Sequence, residues 1–459
     1  MTDQSINAPF PNAGKLDLPF LCSRIKLKLL RHSDCRMTIR NTRTNPMSKT
    51  TEILIIGAGI IGLTTGLRLA REGMQVTLVD PAQPGSGASY GNAGTIADYA
   101  ALPVGHPGIF RQLPSLLFDR DSPLAIQRSA IADVVPWLAR FLLECRLSRF
   151  KANTAAITQL VADAAPRWQT LVEDVDGQLL LHAKGCLYLY TDDATFKSGE
   201  RDIQFRRTLG VKGEMLNADE LTQLEPNLFQ TTSGGAYFPD ALFLSDPGTM
   251  CGKIFQAFTD AGGSLIHDRV TGIQRHPGGP RVTLASGEQI SATTVVLSAG
   301  AHAKKLAAQA GDKIPIISER GYHLEYNCDT ALLNRPACFT AGGFYICPMA
   351  GRLRVTGTVE LGNTSPQPSQ HRLDALDRGV RRFFPDLPPP DKSWLGFRPS
   401  LPDSKPVISA SRHGNDIIYA FGHGHIGMTL APITADIVQS IISESEPPVP
   451  VAPYSVERF

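Results

Sequence analysis

From Thr51 onward the chain alternates short apolar runs with stretches of helical period. Ile53-Leu54-Ile55-Ile56 is apolar at four successive positions, which predicts a strand buried on both faces, as in a parallel sheet. Leu63 to Glu72 has a helical period and stops at Gly73, and Gln75-Val76-Thr77-Leu78-Val79 is a second β-rich run ending at Asp80. Residues 53–80 therefore read as a complete βαβ unit. Further on, 153–175 has helical spacing, and strand-like pieces recur at 185–190, 234–238, 280–284 and 294–297. A second strand-rich block spans 314–358, a proline-rich turn at 385–390 precedes Trp394, and a glycine turn from Gly424 opens a final helix reaching Ile442. Residues 1–46 show neither period and predict a disordered lead-in. It is either a basic tail with a role or upstream sequence ahead of a start at Met47; the second is the reading adopted.

Composition narrows the class. A chain of 459 residues has room for two or three domains and a large core, and 42% hydrophobic with 19% charged residues is too apolar for a disordered protein. The formal charge of +2 is uneven: residues 1–50 carry a net +6, leaving −4 for the remainder. A mildly acidic body argues against a nucleic-acid partner. Eight scattered cysteines without CxxC spacing read as reduced core thiols of a cytosolic protein. No apolar run reaches the ~18 residues of a membrane span, and Arg24, Lys26 and Lys28 interrupt any signal-peptide centre. The expectation is a cytoplasmic protein, at most peripheral at the inner face of a membrane.

The strongest chemical signal is Gly57-x-Gly59-x-x-Gly62 with Asp80. The first glycine permits a tight turn, the second lets a pyrophosphate approach the backbone, and the third lets helix and strand pack closely. The helix N-terminus offers unpaired N–H groups, and Asp80 can accept from ribose hydroxyls while repelling a 2′-phosphate. Downstream, Gly85 to Gly94 is dense in small and hydroxyl residues, a loop able to cross a large cofactor. Thr294 to Ala301 is a buried strand ending in a small-residue turn, and Gly422 to Thr429 is a third such turn opening the last helix.

Together these pieces resemble the D-amino-acid oxidase/dehydrogenase family of FAD-dependent oxidoreductases, over essentially all of residues 51–445. The marks are Gly57–Gly62, Ser89 with Asn92-Ala93-Gly94, Ser298-Ala299-Gly300, Arg320-Gly321-Tyr322, Arg354 to Glu360, Trp394-Leu395-Gly396-Phe397-Arg398-Pro399, Pro402-Asp403, Pro406-Val407-Ile408, and Gly422-His423-Gly424 with Gly427 and Thr429. Bacterial D-amino-acid dehydrogenases are most alike, with glycine oxidase and D-hydroxyproline dehydrogenase as near relatives. The resemblance implies that Arg398 grips a substrate carboxylate through paired charge-assisted hydrogen bonds. It implies noncovalent FAD contacts from Gly57, Gly59, Ile60, Ile61, Gly62, Asp80, Ser89, Asn92, Ala93, Gly94, Val270, Ala299 and Gly300, and from Gly422, His423, Gly424, Gly427, Met428 and Thr429. The chemistry implied is hydride transfer from the substrate Cα to flavin N5, yielding an imino acid that water hydrolyses to an oxo acid. Tyr322, Tyr345 and His323 are candidates for the pocket wall. His423 and His425, without a nearby carboxylate or cysteine cluster, make a poor metal site, and no metal is expected.

Departures bear on specificity. Asp80 stands where the family often has Glu, His425 replaces a residue that is usually small or polar, and Arg320-Gly321-Tyr322-His323 differs from the Lys-Gly-Tyr-Ser type of alanine-preferring dehydrogenases. The fold expected is α/β: a Rossmann-like FAD domain from 47–100, 240–310 and 396–459, and a substrate domain on a mostly antiparallel sheet from 101–239 and 311–395. The function expected is a D-amino-acid dehydrogenase passing electrons to a non-oxygen acceptor, a quinone or an electron-transfer protein. The alternatives are a D-hydroxyproline dehydrogenase, a glycine or sarcosine-type oxidase, a flavin-bearing subunit of a larger complex, and an NAD-dependent enzyme.

Overall fold

A computed structural model describes residues 49–110, 124–229, 233–328 and 331–459. The expected lead-in at 1–46 lies outside the described residues. The first strand, Lys49–Ile56, lies between Val76–Val79 and Gln289–Leu297, both parallel to it. Ser264–Ile266 extends the sheet beyond Val76–Val79, and Gly414–Phe421 runs parallel to Gln289–Leu297 on the far side. Antiparallel hairpins, Val270–Gln274 with Arg281–Leu284 and Val407–Ser411 with Gly414–Phe421, complete eight strands. The run Ile53–Ile56 is apolar throughout because both its faces are covered. Ile53 and Ile55 join a core with the Ile60–Arg71 and Gly427–Ile442 helices, while Leu54 and Ile56 join another with Leu306 and Ala307.

A second, nine-stranded sheet is mostly antiparallel and places Ile317–Asn327 between Arg352–Gly362 and Lys392–Ser400. Its two faces differ in chemistry. Tyr322, Leu324 and Tyr326 pack with Val355 and the Gln370–Val380 helix into a third core. Glu319, Gly321, His323 and Glu325 point the other way by the two-residue period of a strand.

The helical spacing at 153–175 resolves into two helices, Leu147–Val161 and Ala164–Asp174. Their apolar stripe, including Ile157, Leu160, Trp168 and Val172, shares the core of the parallel sheet, and Trp168 Nε1 donates to Met428 O at 3.0 Å. The Lys392–Ser400 strand belongs wholly to the second sheet and crosses the expected boundary at 395/396. Among the described residues no helix is long and apolar enough to cross a membrane.

Close packing at the first βα turn generates a prediction. A Cβ on Gly62 would lie 1.9 Å from Gly57 O, so Gly62→Ala must push strand and helix apart. The expected loss is about 1–3 kcal/mol, read as a lowered midpoint in chemical denaturation. Gly73→Ala, at φ +84° with nothing within 4 Å of the added carbon, carries only the left-handed penalty of about 1–2 kcal/mol.

Candidate active site

At the first turn the chain folds its small residues around the helix start. Gly57 adopts φ +108° and donates to Val79 O at 2.9 Å, while Ser298 Oγ donates to Ile56 O and Gly57 O at 3.0 and 3.1 Å. Ala299 and Gly300 follow directly and bring a third strand end to the same point; a Cβ on Gly57 would approach Ala299 Cα at 3.0 Å. Asp80 accepts from Ala58 N at 2.8 Å and Ala82 N at 2.9 Å, which orients its carboxylate at the end of the second strand. Gly59, at the helix N-cap, supplies no side chain, and the first turn holds no acid. Ser89 Oγ accepts from Ile60 N at 2.9 Å, so Ser89 serves the helix amide directly. Ile61 is half-buried beside it, and Val270 is half-buried where its strand packs on the second core.

The final helix also starts without a side-chain cap or an acid in its first turn. Its approach, Gly422 at φ +86° and Gly424 at φ +53°, uses conformations open chiefly to glycine. Thr429 Oγ1 accepts from Ala97 N at 3.0 Å and lies 3.4 Å from Thr95 O, tying the helix start to the segment after Gly94. His423 is buried, its Nε2 3.0 Å from Thr434 Oγ1, and burial pushes its ring down to about 3. The two helix starts without acids in their first turns, with a glycine-lined passage and an oriented Asp80 at a strand end, fit a dinucleotide cofactor. Among the described residues no group of three or more His, Cys, Asp or Glu is arranged to hold a metal ion.

The loop carrying Asn92, Ala93 and Gly94 is held from the second sheet. Arg354 Nη1 donates to Tyr90 O at 2.7 Å and Asn92 O at 2.9 Å, and Thr356 Oγ1 donates to Gly91 O at 3.3 Å. Arg354 is fully buried and paired with Glu325 at 2.6 Å. Burial alone would raise Glu325, but the hydrogen bonds and charges of Arg354 and Arg352 outweigh it and hold the carboxyl below its ordinary range. Gly91 is obligatory, because a Cβ there would fall 2.0 Å from the Trp394 ring. His323 stacks on Trp394, 5.0 Å between centroids, and burial together with the Arg354 charge lowers it to about 3.

Arg398 lies on the same face. Its guanidinium folds over Gly321, where a Cβ would meet Cζ at 2.5 Å, and Nη1 donates to Thr358 O at 3.2 Å. Thr358 sits at φ +53° inside a strand, beside a register shift opposite Arg320 and Tyr322. For a β-branched residue that conformation is strained, and it turns the carbonyl toward the arginine. Tyr345 is on this face too, its hydroxyl 3.3 Å from Tyr99 OH. Tyr322 is not: it points into the opposite core and donates to Glu360 at 2.6 Å, a carboxylate that also accepts from Arg320.

The structure thus gathers Arg398, Tyr345, His323 and the 422–429 turn on one side and leaves Tyr322 on the other. It adds Arg354, Glu325, Thr358, Glu319 and Tyr99, which sequence reading passed over as functional. The signal available for the first two was a charge in the middle of an apolar strand run, as in Leu353-Arg354-Val355 and Leu324-Glu325-Tyr326.

His323 and His423 are neutral in the fold and lowered to about 3 from an ordinary 6.5. Between those values the unfolded chain binds more protons, so stability is full above pH 6.5 and falls as the pH drops. The expected slope is about 1.4 kcal/mol per pH unit per histidine. Chemical denaturation at pH 7, 6 and 5 measures it, and His423→Gln should remove one histidine's share.

A model of the FAD dependent oxidoreductase family, DAO, matches residues 52–441. A D-amino-acid oxidase of Bradyrhizobium diazoefficiens is 33% identical over 417 residues, spanning 89% of this chain and 98% of that protein. D-amino acid dehydrogenase 2 of Ralstonia nicotianae is 28% identical, spanning 89% and 100%. Among solved structures, glycine oxidase from Geobacillus kaustophilus superposes with a TM-score of 0.74 at 22% identity, covering 90% of this chain and 100% of that one. L-proline dehydrogenase from P. horikoshii gives 0.68 at 20%, covering 90% and 98%, and these two likenesses speak to fold. The chain belongs to the DAO family of FAD-dependent oxidoreductases.

Proposed function

We propose that the protein oxidises D-amino acids, with Arg398 holding the substrate carboxylate. The observation that carries this reading is the placement of Arg398. It is a guanidinium with one nitrogen fixed on Thr358 O, on the sheet face that also carries the clamp on the Tyr90–Asn92 loop. The remaining N–H groups suit a carboxylate, whose two oxygens match the planar fork. The names of the Bradyrhizobium and Ralstonia relatives support a D-amino acid as substrate.

Bound noncovalently, FAD would supply a two-electron acceptor for the substrate Cα–H bond. Residues of the first turn, with Asp80, Asn92, Ala93 and Gly94, are the proposed holders of its nucleotide and linker, and Gly422 to Thr429 the proposed holders of its ring. The positive end of the Gly427–Ile442 helix stabilises negative charge placed at its start. Tyr345 and Tyr99 pack together in a buried aromatic cluster, and burial raises both phenols well above their ordinary range, so they are neutral groups. His323, stacked and neutral, holds Trp394 over Gly91. We nominate no general base, because alignment of a neutral amine is the main demand of such a step.

For the acceptor, we propose a group other than oxygen, in keeping with the name dehydrogenase of the Ralstonia relative. Oxygen is the second reading, favoured by the higher identity of the oxidase. Peroxide release in air at a rate matching turnover would select oxygen, whereas turnover only with an added dye or quinone would select the first.

Two outcomes are expected. Anaerobic addition of D-alanine, D-proline or D-hydroxyproline should bleach the visible flavin band, and the L-enantiomers should not; absence of bleaching by every D-amino acid would refute the proposal. Arg398→Leu should keep its flavin but lose about 3–5 kcal/mol in kcat/KM, since a charge-assisted pair disappears. Near-normal turnover in that variant would remove Arg398 from the carboxylate role.

A further inference from the structure

We infer that the outer face of the Ile131–Glu144 helix docks on an anionic lipid surface, so that the protein lies against a membrane through this helix. The helix is apolar on nearly all sides. Val134, Trp137 and Phe141 face inward and pack with Ile317 and Leu361, and Trp137 Nε1 donates to Ser400 O at 3.3 Å. At 3.6 residues per turn, Ile131, Ala132, Val135, Pro136, Ala139 and Leu143 fill an arc of roughly 140° turned away from that core. All six are exposed. Polar residues take only the remaining edge, with Asp133, Arg140 and Glu144.

One apolar face would hold such a helix in place, and this one has a second. Ile131, Val135 and Leu143 are 50%, 58% and 48% exposed, and Leu147, at the start of the next helix, is 58% exposed. These are four of the nine large apolar side chains exposed among the described residues. Their concentration along one short stretch marks an interaction surface, whereas single exposed apolar residues are ordinary.

Charge identifies the occupant. From Leu124 to Lys151 the chain carries Arg128, Arg140, Arg146, Arg149 and Lys151, all exposed, against Asp133 and Glu144, a net +3 where residues 51–459 as a whole carry −4. The two acids are engaged: Lys304 Nζ lies 2.9 Å from Asp133, and Glu144 accepts from Asn153 Nδ2 at 2.9 Å. A second copy of the chain would bring like charges face to face. An anionic bilayer takes the apolar side chains among its acyl chains and the arginines at its headgroups. On the inner face, Trp137 and Phe141 line a recess shared with Gly422, Gly424 and His425. Docking would therefore set lipid on the far side of this helix from the turn proposed to hold the flavin ring, where a lipid-dissolved electron acceptor would approach. That consequence rests on the proposed function; the docking itself does not.

The test is co-flotation of the FAD-loaded full chain with vesicles of phosphatidylglycerol and phosphatidylcholine in equal parts, and with vesicles of phosphatidylcholine alone. Binding to the anionic vesicles should be at least tenfold tighter and should weaken in high salt. The double variant Val135→Ser with Leu143→Ser should lose at least tenfold in vesicle affinity, with its unfolding midpoint and its turnover in solution unchanged. Leu179→Ser, at a side chain 92% exposed elsewhere, should bind as the wild type does. Arg146→Gln with Arg149→Gln should weaken binding to anionic vesicles only, and this pair decides the matter should the first double variant fail to fold. All these variants leave the basic residues 1–50 untouched, so a loss belongs to the helix. Undiminished binding in both double variants would overturn the proposal. So would absence of binding to anionic vesicles, whether the face is then covered by a second copy, seen as a dimer that the serine variants dissociate, or by residues 111–123 of the chain itself, seen as a lowered unfolding midpoint in those variants. Each of these readouts is independent of which amino acid reduces the flavin.

Discussion

The buried pair of Arg354 and Glu325 holds the two halves of the site in register. Three guanidinium nitrogens are committed: two reach Glu325 and the third spans the carbonyls of Tyr90 and Asn92. An unpaired charge at that depth would cost several kcal/mol, so the loop after the first βα unit has to meet the second sheet at this place. Arg352 extends the network from Glu325 to Asp246, the N-cap of the Pro247–Asp260 helix, and so reaches the packing of the parallel sheet. The arrangement is less a source of net stability than a constraint on geometry, since apolar residues of similar volume would pack there without demanding a partner.

That constraint gives the second sheet two unlike faces. One face packs Tyr322, Leu324 and Val355 against the Gln370–Val380 helix and behaves as ordinary core. The other carries Arg398, Glu319, His323 and Trp394. Its charges are placed by close contact: Gly321 and Gly91 are bare because a guanidinium and an indole occupy the space a side chain would need. Strain concentrates there as well. Thr358 is held left-handed inside a strand, and the surrounding ladder supplies the energy that keeps it so. A fixed guanidinium beside neutral histidines suits the proposed binding of a carboxylate without rearrangement.

Much of this was legible along the chain, for reasons that are local. The first βα turn is written in spacing, because a tight turn, a close backbone approach and a close helix contact each demand glycine at its own position. The strand Ile53–Ile56 was legible because burial on two faces leaves no polar position. Arg398 was legible through the ordered pattern around it. Tyr322 was misleading, because adjacency to Gly321 says nothing about which face a strand residue takes until the neighbouring strands are in place.

The sequence by itself determined the nucleotide fold, the three small-residue turns and the motif around Arg398, since each depends on contacts a few residues apart or on an ordered local pattern. Only the tertiary structure decided that Arg354 clamps the Tyr90–Asn92 loop, that Thr358 O meets Arg398, and that Glu319 shares the face of Arg398 while Tyr322 does not. Those facts join residues separated by tens to hundreds of positions, and a side chain's partner at that distance is set by strand register and packing, which no local pattern encodes.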